Sequence, residues 1–474
     1  MQLFAARKRR PHPRVYTRPA RTSALALASV IAVGTFLLML PISRTGQPPW
    51  PQEAVARVAG PAIGDGAPLS AAFFTATSAS CVTGLIVVDT ETYWSVFGQV
   101  VLVILMEIGG LGTMTFGAIM AIFIANRLNL RQRLVVASAT GLVSPREISG
   151  VVRRIVGYSL VLQAVFAIPI LVSLLLRGEP LHRALGHAGF LAVSAFNNAG
   201  FSVYSDSLMK FASDPLVLLP ISLLIIVGGL GFPVLIEFRR ALRSRGKTFI
   251  QFSLNTRLVL FGTGMLIMGG WAAIALLEWR NTATMASMSA PAKLLLSFFT
   301  AVSPRTAGFN AMDIAAQSEV TWLVTDILMF IGGGPAGTAG GMKITTALVL
   351  FFLVVTEVRA GRSVHLFGSR IGRSVNREAT TVLVLAFTLV VACTAILMLL
   401  TNHNLDRSLF EVTSALGTVG LSTGITPTLP LTAQIMLTLL MFFGRVGPMS
   451  IATALAINPQ ARRFDLPKER PLIG

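Results

Sequence analysis

Eight apolar stretches of membrane length decide what this chain can be. They lie at about 22–42, 95–125, 155–176, 215–236, 258–277, 320–356, 380–401 and 432–457, and a helix needs about 20 residues to cross a bilayer. The polar remainder is too small to clothe a soluble body. Of 474 residues, 12% are charged and 53% hydrophobic, against about 25% charged in a typical soluble domain. Cys81 and Cys393 have neither CxxC nor metal-site spacing, which argues against a disulfide framework. His12, His182, His187, His365 and His403 are scattered, and no HExxH or GxSxG pattern occurs. The residues therefore give no sign of a membrane enzyme. An all-α integral membrane protein is the expected class.

The net charge of +19 alternates by side. Residues 1–21 hold seven Lys/Arg and no acid, and 126–154, 237–257, 357–378 and 458–474 hold six, six, five and four. Together these segments carry 28 basic and six acidic residues, while the segments between them carry nine and twelve. The positive-inside rule then puts both termini and the basic linkers in the cytoplasm. Lys8, Arg9 and Arg10 read as membrane-orienting charges facing anionic lipid, and no nucleic-acid partner is expected. The first apolar run ends in Leu40-Pro41-Ile42 without a small-residue cleavage site, so it is expected to be a retained first span.

The outward segments repeat. They contain Cys81-Val82-Thr83-Gly84, Asn197-Asn198-Ala199-Gly200, Arg305-Thr306-Ala307-Gly308 and Gly417-Thr418-Val419-Gly420, with the glycines 116, 108 and 112 residues apart. Phe74, Phe190, Phe298 and Phe410 stand ten residues before them. Ser78, Ser194 and Ser414 stand six before, Val302 being the exception. A semi-apolar segment of 11–13 residues precedes each motif, as at 69–80 and 184–196. It is too short to span and too apolar for a solvated loop, so a re-entrant half-helix is expected. Internal repeats are common in membrane transport proteins. Four converging motifs would set backbone carbonyls around one axis, where they replace the hydration shell of a monovalent cation. Glycine at φ > 0 lets successive carbonyls point the same way.

These motifs, with Gly332-Gly333-Gly334-Pro335-Ala336-Gly337-Thr338-Ala339-Gly340-Gly341-Met342-Lys343 and Gly444-Arg445-Val446-Gly447-Pro448, resemble the Trk/Ktr/HKT superfamily of potassium transport proteins. The resemblance covers about 22–457. It is greatest to the KtrB membrane subunits of bacterial Ktr systems, since a single span precedes the first motif. It implies eight transmembrane helices plus four pore half-helices, in four outer helix–pore helix–filter–inner helix repeats around one pore. The corresponding divisions are a basic N-terminus at 1–21, repeats at 22–125, 152–238, 257–357 and 379–457, and a cytoplasmic tail at 458–474. The four motifs would be the potassium-binding filter, and residues 332–343 with Arg445 the gate. Glycine rather than serine at position 84 favours potassium over sodium, by comparison with sodium-permeable plant members. Asn197-Asn198 and Arg305 are expected to break fourfold symmetry near the filter and loosen coordination.

The resemblance further implies a homodimer with one pore per protomer, in a bacterial plasma membrane. A separate KtrA-like cytosolic ring subunit would bind nucleotide and regulate the pore. Potassium would be the transported ion and sodium an activator, with no organic cofactor on this chain. A Trk-type proton- or sodium-coupled transporter is the alternative, and an unrelated secondary transporter stands behind it. No inward linker exceeds about 30 residues, so no nucleotide-binding domain is expected within the linkers.

Four charges fall inside the spans: Lys343, Arg445, Glu107 and Asp326. Such residues are costly and usually face a bundle interior or an aqueous path. The two acids could instead neutralise a basic neighbour, Arg445 among them. As one helix, 319–357 would run about 58 Å, far beyond a bilayer of about 30 Å. Its glycines and Pro335 should break it into two halves joined by a loop. Met342 and Ile344 flank Lys343, which excludes a Walker phosphate loop.

Overall fold

The computed structural model describes residues 18–46, 64–127, 148–243, 252–361 and 363–447. The expected N-terminal arm up to residue 17, the tail at 458–474, and 448–457 of the fourth repeat lie outside the described residues. Helices dominate. In chain order they are α1 (Arg18–Leu38), α2 (Leu69–Ser80), α3 (Val96–Arg127) and α4 (Ile148–Leu176), then α5 (Leu181–Asn197), α6 (Pro215–Leu230), α7 (Phe232–Arg243) and α8 (Leu254–Glu278). There follow α9 (Ala290–Val302), α10 (Glu319–Phe330) and α11 (Ile344–Val358), and last α12 (Arg373–Leu400), α13 (Leu405–Gly417) and α14 (Leu431–Val446).

Local chemistry sets the helix starts. Pro68, Pro180 and Pro430 are the N-cap residues of α2, α5 and α14. Elsewhere a short polar side chain caps: Asp214 accepts from the Leu216 amide at 2.9 Å, Ser253 from Thr256 at 3.3 Å and Ser318 from Thr321 at 3.2 Å. Each cap satisfies a backbone donor that the first helical turn cannot.

The helices pack as four sets that close on themselves. Within the sets, α1 and α3 pack on α2, α4 and α6 on α5, α8 on α9 and α10, and α12 and α14 on α13. Between them, α3 packs on α5, α6 on α9, α10 on α13, and α14 on α2. The last contact joins the fourth set to the first.

Outward-facing side chains are apolar. Leu160, Val161, Val165 and Ile168 on α4, Met265 and Met268 on α8, and Val384, Phe387 and Val391 on α12 are all exposed. A surface of this kind suits lipid rather than water. Among the described residues three helices are long and apolar enough to cross a membrane: Val152–Leu176, α8 and α12. The bent pair α6–α7 is a fourth if counted as one span. Ser23–Leu38, Val96–Gly112, Ile344–Val358 and Leu431–Val446 are shorter apolar helices.

Two features depart from the sequence expectation. The stretch at 215–236 is not one continuous helix: it turns by 102° between α6 and α7, at Gly231 with φ 91°. A side chain there would collide with the Pro335 carbonyl, so the break is made against the loop that interrupts the third inner segment. The linker at 357–378 contains a small hairpin, β1 (His365–Leu366) antiparallel to β2 (Ser369–Arg370). The break between α10 and α11 falls where the glycines and Pro335 placed it.

Candidate functional site

Helices α2, α5, α9 and α13 each run directly into one glycine motif, and the four motifs share one backbone conformation. The second residue of each is left-handed: Val82 (φ 55°), Asn198 (58°), Thr306 (71°) and Thr418 (50°). So is each terminal glycine: Gly84 (95°), Gly200 (71°), Gly308 (76°) and Gly420 (94°). Three of these non-glycine positions are β-branched, where positive φ is a true outlier, and each costs about 1–3 kcal/mol. The same positive φ at both places in four different sequences means the backbone shape itself is what the fold holds.

The motifs also form a closed ring. A Cβ built on Gly84 would lie 2.5 Å from the Ala199 carbonyl oxygen, one on Gly200 2.8 Å from Ala307, one on Gly308 2.3 Å from Val419 and one on Gly420 2.0 Å from Thr83. Each glycine thus abuts the residue before the next glycine, in the cyclic order of the helix packing. No side chain fits at any of the four.

Several of the motif amides bond away from the ring. Thr83 N donates to Ser78 O, Ala199 N to Ser194 O and Val419 N to Ser414 O, each at 2.8 Å. Gly84 N and Gly420 N donate to Ser78 Oγ and Ser414 Oγ at 3.0 and 3.1 Å. The third motif, which lacks the preceding serine, uses its neighbour: Ala307 N donates to Ser303 O at 2.9 Å, and Ser303 Oγ to Phe309 O at 2.5 Å. With donors engaged at the back, four helix C-termini and their partial negative charge meet the ring, an arrangement suited to a cation.

The asymmetric residues stand behind the ring rather than in it. Arg305 is buried and donates to Thr263 Oγ1 on α8 at 3.2 Å. Asn197 donates to Glu107 on α3, at 2.5 Å. Asn198 pairs with Thr306 Oγ1 of the next motif at 3.3 Å. The asymmetry thus lies in these side-chain partners and in the amide bonding of the third motif, while the positive φ angles keep a fourfold pattern. Cys81 is fully buried. The helical supports are themselves alike. A Cβ on Gly109, Gly228 or Gly444 would meet the carbonyl of Ser80, Phe196 or Leu416 at 2.2, 2.0 and 2.0 Å, four residues before Gly84, Gly200 and Gly420.

Residues 331–343 lie against the ends of these elements. Gly332 N donates to Met342 O at 2.8 Å and Ile344 N to Gly333 O at 3.0 Å, closing the base of the loop. Gly334 N and Thr338 N donate to Gly229 O and Gly228 O at 2.7 and 3.2 Å, and Phe232 N returns a bond to Ala336 O at 3.2 Å. Two helix breaks thereby satisfy each other's freed backbone groups. Thr338 Oγ1 reaches Phe196 O at 3.2 Å, while a side chain at Gly340 would collide with Thr418 and one at Gly341 would press on Gly417. The loop thus abuts the second and fourth motifs.

Both basic residues inside the spans bind backbone. Lys343 Nζ donates to Ala339 O at 2.6 Å. Arg445 Nη1 donates to Thr338 O, and Nη2 to Gly109 O on α3 at 2.6 Å. Glu107 is held by amides instead, accepting from Asn197 and from Gln163 Nε2 on α4 at 3.1 Å. Asp326 is buried on α10, and its Oδ1 has no hydrogen-bond partner among the described residues. The alternative in which these acids neutralise Arg445 gains no support from this geometry.

Glu411 and Glu278, which fall among the outward charges in sequence, are also buried. Glu411 accepts from Ser422 Oγ at 2.5 Å, Thr423 N at 3.1 Å and Thr426 Oγ1 at 2.8 Å, pinning the chain that follows Gly420. Glu278 accepts from Asn281, Thr284, Ser318 N and Thr321 at 2.5–3.0 Å, tying the end of α8 to the start of α10. An acid next to hydroxyl-rich segments was the available signal for both.

Four helical sets thus close around one ring of glycine motifs. Residues 61–466 match the family described as TrkH, cation transport protein. The chain belongs to this family. It is 35% identical over 446 residues to Ktr system potassium uptake protein B of Bacillus subtilis, covering 94% of both chains. It is 35% identical over 412 residues to the protein of the same name from Vibrio alginolyticus, covering 86% of this chain and 89% of that one. Potassium/sodium uptake protein NtpJ of Enterococcus hirae is 32% identical over 414 residues, with 85% and 89% covered. The crystal structure of the potassium transporter TrkH from Vibrio parahaemolyticus has the same fold, at a TM-score of 0.70 and 17% identity, covering 95% of this chain and 87% of that one. The relatives are ion transport proteins and not enzymes.

Proposed function

We propose that this chain is the potassium-translocating pore subunit of a Ktr-type uptake system in a bacterial plasma membrane. The observation that carries the reading is the closed ring of four motifs, each with two residues at positive φ. Backbone held in this way, at a cost at the three β-branched positions, aligns carbonyls for a dehydrated monovalent cation. The filter residues are 81–84, 197–200, 305–308 and 417–420. The four half-helices α2, α5, α9 and α13 enter the membrane without crossing it. Eight spans surround them: α1, α3, α4, α6–α7, α8, α10–α11, α12 and α14. Residues 332–343 with Arg445 form the gate beneath the filter, and both termini are cytoplasmic, as the basic linkers require.

Potassium is the cargo named for the relatives, and one of them is named for sodium as well. In this reading sodium activates, a nucleotide-binding ring subunit docks on the cytoplasmic face, and two protomers pair with separate pores. No organic cofactor is needed. The test is potassium uptake by a bacterial strain lacking its own uptake systems. Expression of the chain with a ring subunit restores growth on low potassium, and sodium raises the rate. Protein present in the membrane without potassium uptake, under both conditions, contradicts the proposal.

A further inference from the structure

The second motif of the ring is anchored on the helix of the preceding set. Asn197, its first residue, is fully buried and donates from Nδ2 to Glu107 Oε2 at 2.5 Å and to Val193 O at 3.0 Å. Its Oδ1 has no hydrogen-bond partner among the described residues, so the Nδ2 bonds orient the side chain. Glu107 is steadied in turn by Gln163 on α4, whose Nε2 lies 3.1 Å from Oε2 and 3.3 Å from Oε1. Gly110 makes the seat, since a Cβ there would fall 2.0 Å from Asn197 Oδ1. Gly109 makes the adjoining one, with a Cβ falling 2.2 Å from Ser80 O at the start of the first motif. The turn 107–110 of α3 is therefore shaped to two neighbouring motifs at once.

A carboxylate is an expensive group to keep in this place. An apolar side chain would fill the volume without that cost, but it could not accept a hydrogen bond from Asn197. What the acid adds is direction: it pulls one strand of the ring toward α3 by a short charge-assisted bond. We propose that Glu107 is a positioning residue for ion selectivity, acting through Asn197 to hold the second strand where its carbonyls complete the ring. The proposal rests on the filter reading given above, and it assigns a task to an acid that the pore mechanism does not otherwise use.

The test is the potassium-to-sodium permeability ratio of the full-length protein in proteoliposomes. Glu107→Ala and Asn197→Ala are each expected to lower the ratio about tenfold, the low end for losing a hydrogen bond to a charged group. Glu107→Gln keeps an acceptor for the Asn197 amide and is expected to lie between Glu107→Ala and wild type. The double variant Glu107→Ala/Asn197→Ala should be no worse than Asn197→Ala alone, because both remove one interaction. If Glu107→Ala does not fold, Asn197→Ala and Glu107→Gln carry the test. A merely structural role would lower thermal stability and leave the ratio at the wild-type value, which overturns the proposal, as would additive losses in the double variant. Gly84→Ser separates the two readings. If it changes the ratio while the 107 and 197 variants do not, only the role of Glu107 falls. If it too leaves the ratio unchanged, the filter reading falls with it.

Discussion

At the residue scale the sharpest case is Arg445. Its planar fork bridges Thr338 O in the loop and Gly109 O on α3, so it clamps the loop to an inner helix as well as placing a fixed charge there. It follows Gly444, the support glycine of the fourth set, whereas glycine follows at the equivalent points Gly109-Gly110 and Gly228-Gly229. The fourth set thus carries a guanidinium where the first two carry nothing. Removing it should free the loop and remove a repulsion for potassium together. Arg445→Gln is expected to raise flux in the absence of the ring subunit. Arg445→Lys should be intermediate, because ammonium keeps the charge and loses the fork that reaches two carbonyls. Flux assays on purified protein check both, with thermal unfolding alongside. Flux and stability falling together in Arg445→Gln would make the residue a structural tie.

At the scale of elements, the loop at 332–343 and the outer carboxylates have opposite tasks. Deleting 334–340 removes the contacts to Gly228, Gly229 and Phe196 but leaves all four glycine motifs in place. The expected product conducts and no longer responds to a ring subunit; background flux in folded protein would make the loop scaffold. Glu278 should matter for stability instead. Four donors converge on it, and a buried donor left unsatisfied costs about 1–3 kcal/mol. Glu278→Ala is therefore expected to lower the unfolding temperature in detergent by several degrees, and Glu278→Gln by less. An unchanged temperature would mean that water replaces the carboxylate. Much of this layer was legible in sequence. Short apolar segments ending in glycine indicate helices ahead of the motifs, and α2 falls on the residues expected. The bend at Gly231 was not legible, because Gly228-Gly229-Leu230-Gly231 sits in an unbroken apolar run and hydropathy does not register direction. Its cause is contact with Pro335 and Ala336, about a hundred residues away in sequence. Glu107 stood out as an intramembrane acid, but its partners Gln163 and Asn197 come from two other helices and meet it only in the fold.

At the scale of the whole molecule, one chain arranges four similar helix-and-glycine sets in a single closed order. The helix packing and the glycine contacts close in the same cyclic order, so no motif is peripheral. The sequences of the motifs differ because their supports differ: a hydroxyl on α8 for Arg305, a carboxylate on α3 for Asn197 and serines for the first and fourth. The central claim is that all four strands coordinate one ion path. The direct measurement is the potassium-to-sodium permeability ratio of reconstituted protein carrying Gly84→Ser, Gly200→Ser, Gly308→Ser or Gly420→Ser, one at a time. Each glycine has positive φ and a neighbouring carbonyl within 2.8 Å of where a Cβ would stand. Each serine should therefore lower the ratio or the potassium affinity, and all four should do so. A folded variant that keeps wild-type selectivity and affinity at any one of the four positions would contradict a ring of four.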